Sequence, residues 1–374
     1  MSILDKHEQI ASRKKDHILL CSTDSVNSHV TTHLEDITLI KTCFPQHSLS
    51  SIDISTDFYG THLSAPIIIG AMSGGSSDVI SFNKALGTAA NATGVAIGVG
   101  SQRSGLETKD EGILESYRVI RECAPRAFII GNIGAVQLTE SGDVLDELLD
   151  MVRGNAMAVH LNWEQELSQP EGDREMYSLS RLEEIIKNWG GIVIGKQVGH
   201  GMTKHDGMIC RGLGMKCVDV GGLGGTSFAA VEALRVNRKL SQLNEVHSNG
   251  KDLKKDFQSV GHLLWDYGIP TAMSLSDCCT IEGLDVIAGG GIRNGMEIVK
   301  CLSYGSIACS IARPFVSLAL NGSTDCITYI EELKKEISSV MFLTNSKTLK
   351  DTRNIDKIIS GDLSLWQSHT FLEN

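Results

Sequence analysis

The residues best suited to chemistry lie in one stretch, Met157 to Gln169, which reads MAVHLNWEQELSQ. It starts apolar, with Met157, Ala158, Val159 and Leu161 interrupted only by His160, and turns polar at Asn162, Glu164, Gln165 and Glu166. An apolar strand ending in an imidazole, amides and carboxylates is what a parallel α/β sheet presents at its carboxyl edge, where ligands sit. Of the adjacent Gln165 and Glu166, one would coordinate a cation while the other faces a ligand. Mg²⁺ commonly takes one or two carboxylates together with substrate phosphates and water. Glu171 and Asp173 are further acidic candidates downstream. Taken alone, the stretch is equally an ordinary strand followed by a solvated loop, and His160 and His200 are equally core histidines.

Three other groups carry chemical potential. Lys196 closes an apolar run, where a lysine is costly unless paired. It suits a Schiff base, the anionic edge of an electron-rich ring, or a satisfied structural role. Arg13-Lys14-Lys15-Asp16-His17 is a compact basic group in an otherwise acidic chain. It reads as a clamp for an anion such as phosphate, or as a solvated helix start. Gly289-Gly290-Gly291-Ile292-Arg293, Ala312-Arg313-Pro314, and Thr226 after a glycine run suit phosphate held by backbone N–H groups and a helix N-terminus. Tight turns are the alternative.

Apolar runs lead into these groups: Pro66–Ala71, Gly94–Val99, Ala127–Ile130, the His160 strand, Gly191–Ile194, Cys217–Val220, Leu284–Ala288 and Ser306–Ile311. Near-continuous apolar runs indicate parallel strands covered on both faces. Between most of them lie segments of helical period, such as Val79–Ala90, Val144–Val152 and Met296–Ser303. Eight alternations predict a (β/α)8 TIM barrel of class α/β. A doubly wound sheet is the second choice, although Gly70–Gly75 does not spell G-x-G-x-x-G. The expected organisation is a single barrel domain over 1–374. Residues 1–61 form an extension covering the barrel bottom or reaching over its rim. Residues 236–268 form an insertion acting as a lid or oligomer contact, and 322–374 a helical tail with an amphipathic helix at Ile327–Phe342.

Composition narrows the partners. A hydrophobic content of 41% with 21% charged residues is ordinary for a globular enzyme. A net charge of −11, with no long basic run, excludes nucleic acid as the main partner. The 38 glycines cluster at a few points, as backbone-lined ligand loops require. Ten cysteines without CxxC or metal-type spacing read as buried, reduced thiols. No N-terminal apolar run precedes a cleavage site, and no run reaches the roughly 20 apolar residues that span a bilayer. A soluble cytoplasmic protein without membrane contact is expected.

Taken together, RKKDH, AMSGG, GVGSQR, GNIGA, HLNWEQE with PEGDR, DVGGLGGTS, YGIPTA and GGGIRNG occur in an order that resembles the type 2 isopentenyl diphosphate isomerases, FMN-dependent (β/α)8 barrels. The resemblance runs from about Arg13 to Phe315. It implies that Arg13 and Lys14, with His17, grip a diphosphate, and that Ser101, Gln102 and Arg103 lie by flavin and substrate. It places Ala71, Met72, Ser73, Asn132, Lys196 and Thr226 on FMN. Gly291, Ile292, Arg293, Ala312 and Arg313 would cradle the FMN phosphate. His160 and Asn162 would line the substrate side, Gln165 would face the allylic end, and Glu166 would bind Mg²⁺ bridging the diphosphate.

The implied reaction converts isopentenyl diphosphate to dimethylallyl diphosphate, with reduced flavin as acid and base and NADPH needed only to reduce it. The catalytic set would be Gln165, His160 and Lys196, in a homo-oligomer (tetramer or octamer). Three departures stand out. Ser73 replaces a usual threonine, and Gly289 stands where serine is common. IGKQVGHG replaces a V-K-E-V-G-like run, so Gly195 and Gln197 are expected to remove a side chain and a carboxylate beside the flavin lysine and retune the pocket. Competing readings are an FMN-dependent oxidoreductase on the same barrel and a non-catalytic flavin-binding descendant. The first lacks an HG-x-R-like block or a loop cysteine after the sixth strand. The second predicts loss of Gln165, Glu166 or the basic clamp, and all are present.

Overall fold

Short apolar segments gain burial by closing on one another. In the computed structural model, which describes residue 14 and residues 16–108, 110–244 and 260–369, eight strands form a closed parallel barrel. They are β1 (Ile67–Ile69), β2 (Ala96–Gly98), β3 (Ile129–Gly134), β4 (Ala156–His160), β5 (Val193–Lys196), β6 (Cys217–Asp219), β7 (Asp285–Gly289) and β8 (Ala308–Ile311). β8 pairs with β1, Ser310 opposite Ile68, so the sheet has no free edge. The expected TIM barrel is the observed fold.

Helices lie between the strands: α1 (Ile80–Thr93), α2 (Glu111–Cys123), α3 (Leu145–Val152), α4 (Leu179–Trp189), α5 (Lys204–Gly212), α6 (Thr271–Cys278), α7 (Gly295–Tyr304) and α8 (Ser323–Leu343). Alternation along each strand splits the apolar residues into two sets. Ile67, Ile69, Ile97, Met157, Val193 and Val286 join the core shared with the helices. Ile68, Ala96, Ala158, Ile194, Ile287 and Ala308 form a separate inner cluster. Several inner residues are small, and aromatic rings fill the lower end. Phe58 and Phe128 meet edge to face at 4.9 Å, both buried.

The N-terminal extension serves both ends of the barrel. A hairpin, Thr56–Phe58 with Thr61–Leu63, pushes Phe58 and Leu63 into the bottom. Upstream, the arm crosses the opposite rim, where Ser28 N donates to Gly225 O at 2.8 Å and Ala272 N to Thr32 O at 2.9 Å. Two boundaries need correction. Residues 236–244 of the expected insertion continue a helix that runs Phe228–Asn244, and residues 245–259 of it lie outside the described residues. The tail is not wholly helical, because Lys357–Ile359 pairs antiparallel with Ile37–Leu39. Among the described residues no helix is long and apolar enough to cross a membrane.

Candidate active site

Strand register sets the site. Gly134, His160, Lys196 and Asp219 pair in succession across β3 to β6, forming one rank at the carboxyl edge. Above that edge lies a cavity enclosing about 980 Å³ of free space up to its open mouth. Its walls are Ala71, Met72 and Ser73 after β1, Lys196 and Asp219, and Thr226 after β6. The glycines after β7 and the β8 end at Ala312 and Arg313 complete it. The glycines are required by contact. A Cβ on Gly290 (φ 99°) would stand 2.0 Å from Gly222 O, and one on Gly291 (φ 72°) 2.2 Å from Thr32 Cγ2. Ile292 is buried, and the Arg293 guanidinium donates to Ile292 O at 2.9 Å.

Two buried hydroxyls of residues that line this space, Ser73 Oγ and Thr226 Oγ1, have no hydrogen-bond partner. An unsatisfied buried hydroxyl costs about 1–3 kcal/mol, so a ligand with polar edges is called for. The N-termini of α7 and of the helix Arg313–Asn321, which begins directly after β8, supply an anion-favouring end. Glycine cradle, orphaned hydroxyls and helix N-termini together fit a planar polar ring that carries a phosphate.

Lys196 enters this cavity already paired. Its Nζ lies 2.7 Å from Asp219 Oδ2, and both side chains are largely buried. Asp219 Oδ1 accepts from Gly221 N at 3.2 Å and would stand 2.2 Å from a Cβ on Gly289, which explains glycine there. Gly195 does not open the pocket, contrary to expectation. Its missing side chain would point outward, 2.8 Å from Met215 Sδ and 3.0 Å from Cys210 Sγ. Gln197 does line the cavity, and its Nε2 donates to Glu164 Oε2 at 3.0 Å.

A second, smaller cavity of about 270 Å³ adjoins the end of β4 and is lined by His160, Asn162, Glu166 and Asp173. His160 Nδ1 lies 3.0 Å from Asn132 Oδ1, and Asn132 Nδ2 donates to Val99 O at 3.2 Å. Asn162 Nδ2 donates to both Gln165 Oε1 and Glu166 Oε1 at 3.1 Å. Glu166 Oε2 accepts from Asp173 N at 2.8 Å and from the Gln169 amide. Burial pushes the Glu166 carboxyl above its usual range, outweighing these donors. Among the described residues no group of three or more His, Cys, Asp or Glu side chains is arranged for a metal. A cation at Glu166 would therefore draw ligands from its substrate, and it would favour the ionised carboxylate.

Arg103 reaches this cavity's rim, donating from Nη1 to Asp173 Oδ2 and from Nε to Glu107 Oε1, both at 2.9 Å. Ser101 is half-buried, its carbonyl accepting from Tyr117 OH at 2.6 Å. Gln102 is not a substrate contact. It is wholly buried, with Oε1 accepting from Asn132 N at 2.9 Å and Nε2 donating to Leu148 O at 2.7 Å. Both ends of the amide are consumed in joining β2 to β3 and α3.

Lys14 and His17 of the N-terminal arm line the larger cavity, as a clamp requires; Arg13 lies outside the described residues. His17 Nε2 lies 2.8 Å from Glu232 Oε1, a carboxylate on the inserted helix that spacing did not reveal. Glu232 also accepts from Arg235 Nε at 2.7 Å and Gln165 Nε2 at 3.4 Å, and Arg235 pairs with Glu171 at 2.7 Å. The Arg313 side chain serves the arm too. It donates to Thr23 O at 2.7 Å, Cys21 O at 3.3 Å and the Asn27 amide oxygen, leaving the backbone to face an anion.

The described FMN-dependent dehydrogenase family matches residues 144–357. An isopentenyl-diphosphate delta-isomerase of Methanococcoides burtonii is 37% identical over 93% of this chain and 92% of its own. That of Archaeoglobus fulgidus is 36% identical over 95% and 98%. Among solved structures, a flavocytochrome b2 variant with benzoylformate superposes with a TM-score of 0.65 at 16% identity, over 96% of this chain and 85% of that one. A lactate oxidase of Pediococcus acidilactici gives 0.64 at 15%, over 95% and 94%. These two likenesses are of fold.

Proposed function

Because this chain belongs to the isopentenyl-diphosphate delta-isomerases, within the FMN-dependent dehydrogenase family, we propose that it isomerises isopentenyl diphosphate to dimethylallyl diphosphate with FMN in the larger cavity. One observation carries the reading: the arm brings Lys14 and His17 to the same cavity as the glycine cradle of β7 and β8. Side chains suited to a diphosphate thus share the cavity with a place for a flavin phosphate.

The residues divide the work by position. Gly291 to Arg293 and the backbone at Ala312 and Arg313 would hold the FMN phosphate; Ser73, Thr226 and Lys196 would meet the ring's polar edges, and Ala71 and Met72 its face, while Asn132 orients His160. Reduced FMN supplies the proton donor and acceptor for moving the double bond, with NADPH as its reductant. Lys14 and His17, joined by Arg103 and Ser101, hold the diphosphate, and Glu166 would hold Mg²⁺, which would supply charge neutralisation there. His160, Asn162 and Gln165 orient the allylic end. Gln165 is an amide, so it positions rather than titrates, and the pocket stays free of a competing side-chain acid at that point. Asp219 offsets the Lys196 charge.

Ten free cysteines support a reducing, cytoplasmic setting. Exposed Ile40, Phe44, Leu343 and Ile358, linked by Thr42–Leu343 and Ile40–Asp356 backbone bonds, support assembly into a homo-oligomer. The deciding experiment is anaerobic turnover of isopentenyl diphosphate with FMN, Mg²⁺ and NADPH. Dimethylallyl diphosphate formed without stoichiometric NADPH use supports the isomerase. A reducible bound flavin without product moves the assignment to redox chemistry on the same barrel.

A further inference from the structure

The short helix Trp163–Ser168 carries Gln165 and Glu166, and a side-chain bridge ties it to the strand end that carries Lys196. Gln197 Nε2 donates to Glu164 Oε2 at 3.0 Å. The other end of that amide is also committed, Oε1 accepting from His200 N at 3.3 Å and from Val198 N. Gln197 is buried, and both ends of its amide are taken by protein partners. We infer that Gln197 is a positioning residue, paired with Glu164, that holds the helix of Gln165 and Glu166 in register with Lys196. The inference rests on the function proposed above.

The pair has a fixed polarity. Glu164 only accepts, so position 197 must donate toward it while accepting from two backbone N–H groups, and an amide does both. A carboxylate at 197 would satisfy the backbone donors but present only acceptor oxygens where Glu164 now receives an N–H at 3.0 Å. The helix would be pushed off its register, and displacing a substrate-orienting group by about 1 Å costs on the order of a hundredfold in rate. Exchanging the pair restores complementarity, because Gln at 164 donates to Glu at 197.

The test uses the FMN-loaded protein and compares Q197E, Q197M, E164Q and the exchange Q197E/E164Q. Measured are kcat and KM for isopentenyl diphosphate, the Mg²⁺ concentration for half-activation, the visible spectrum of bound FMN and the melting midpoint. Q197E and Q197M should lower kcat roughly tenfold or more and raise the Mg²⁺ requirement while FMN stays bound. E164Q keeps an acceptor and should change little, and the exchange should recover most of kcat and the Mg²⁺ requirement. An exchange as poor as Q197E, or a Q197E with wild-type kcat and Mg²⁺ requirement, overturns the inference. Absence of isomerisation by the wild type would sink the proposed function instead. The pairing would then be decided by the flavin spectrum and melting midpoint, which must shift in Q197E and return in the exchange.

Discussion

His17 and Glu232 are 215 residues apart in sequence, and their side chains meet at 2.8 Å. That contact joins the N-terminal arm to the helix inserted after β6, directly over the cavity. Gln165 reaches the same carboxylate at 3.4 Å, so arm, insertion and the β4 end converge on one buried anion.

Glu232 should therefore be a stability hub with a defined pH window. Burial opposes its ionisation, but His17 and Arg235 win and hold its carboxyl down to about 2 from the usual 4.5. A depressed folded-state value means the stabilisation is complete above 4.5 and is lost as pH falls toward about 2. Glu232→Gln should cost about 2 kcal/mol at neutral pH, and melting midpoints of the variant should fall less steeply than wild type across that acid range.

Glu166→Gln should keep bound flavin yet lose roughly two orders of magnitude in Mg²⁺-supported turnover. Burial raises the Glu166 carboxyl, so protons should compete with a cation held there as pH falls through that raised value. The Mg²⁺ concentration for half-activation should climb on acidification. A variant with an unchanged Mg²⁺ dependence would remove Glu166 from the metal.

Gly289→Ser should weaken the cofactor site despite placing a hydroxyl beside it. The new Cβ falls 2.2 Å from Asp219 Oδ1, so the carboxylate must shift and its contact with Lys196 is disturbed. FMN affinity, followed by fluorescence quenching, should drop about tenfold, equivalent to 1.4 kcal/mol. Asp219→Asn should act in the same direction.

Phe58→Ala tests the barrel plug independently of chemistry. Removing a fully buried ring costs about 3–5 kcal/mol, read as a lower denaturant midpoint. Turnover per folded molecule should hold, since Phe58 packs at the end opposite the cavity.

The barrel was legible because parallel strands buried on both faces read as apolar runs, and their polar ends mark the ligand edge. Lys196, Thr226 and the β7 glycines fall in one cavity because strand register, not sequence distance, sets their proximity. What spacing concealed was pairing. Asp219 sits inside the apolar run CVDV, and nothing local shows that Lys196 answers it. Glu232, in FAAVEALR, had a faint signal: a lone carboxylate three residues before Arg235 in an apolar helix. The resemblance of GVGSQR places Gln102 beside flavin and substrate, yet a wholly buried amide with both ends bound to backbone is a structural clamp. Gly195 shows the same limit, since alternation along β5 turns it away from the pocket that Lys196 enters.

The arm has one more consequence, for biosynthesis. Its carbonyls at Cys21 and Thr23 are received by Arg313, and its His17 by Glu232. This stretch leaves the ribosome before any barrel strand yet finds its seat only after β8 has emerged. The arm's seat at Arg313 and the backbone of Ala312 and Arg313 thus become available together, so the arm settles only once the anion-favouring end of the cavity is complete.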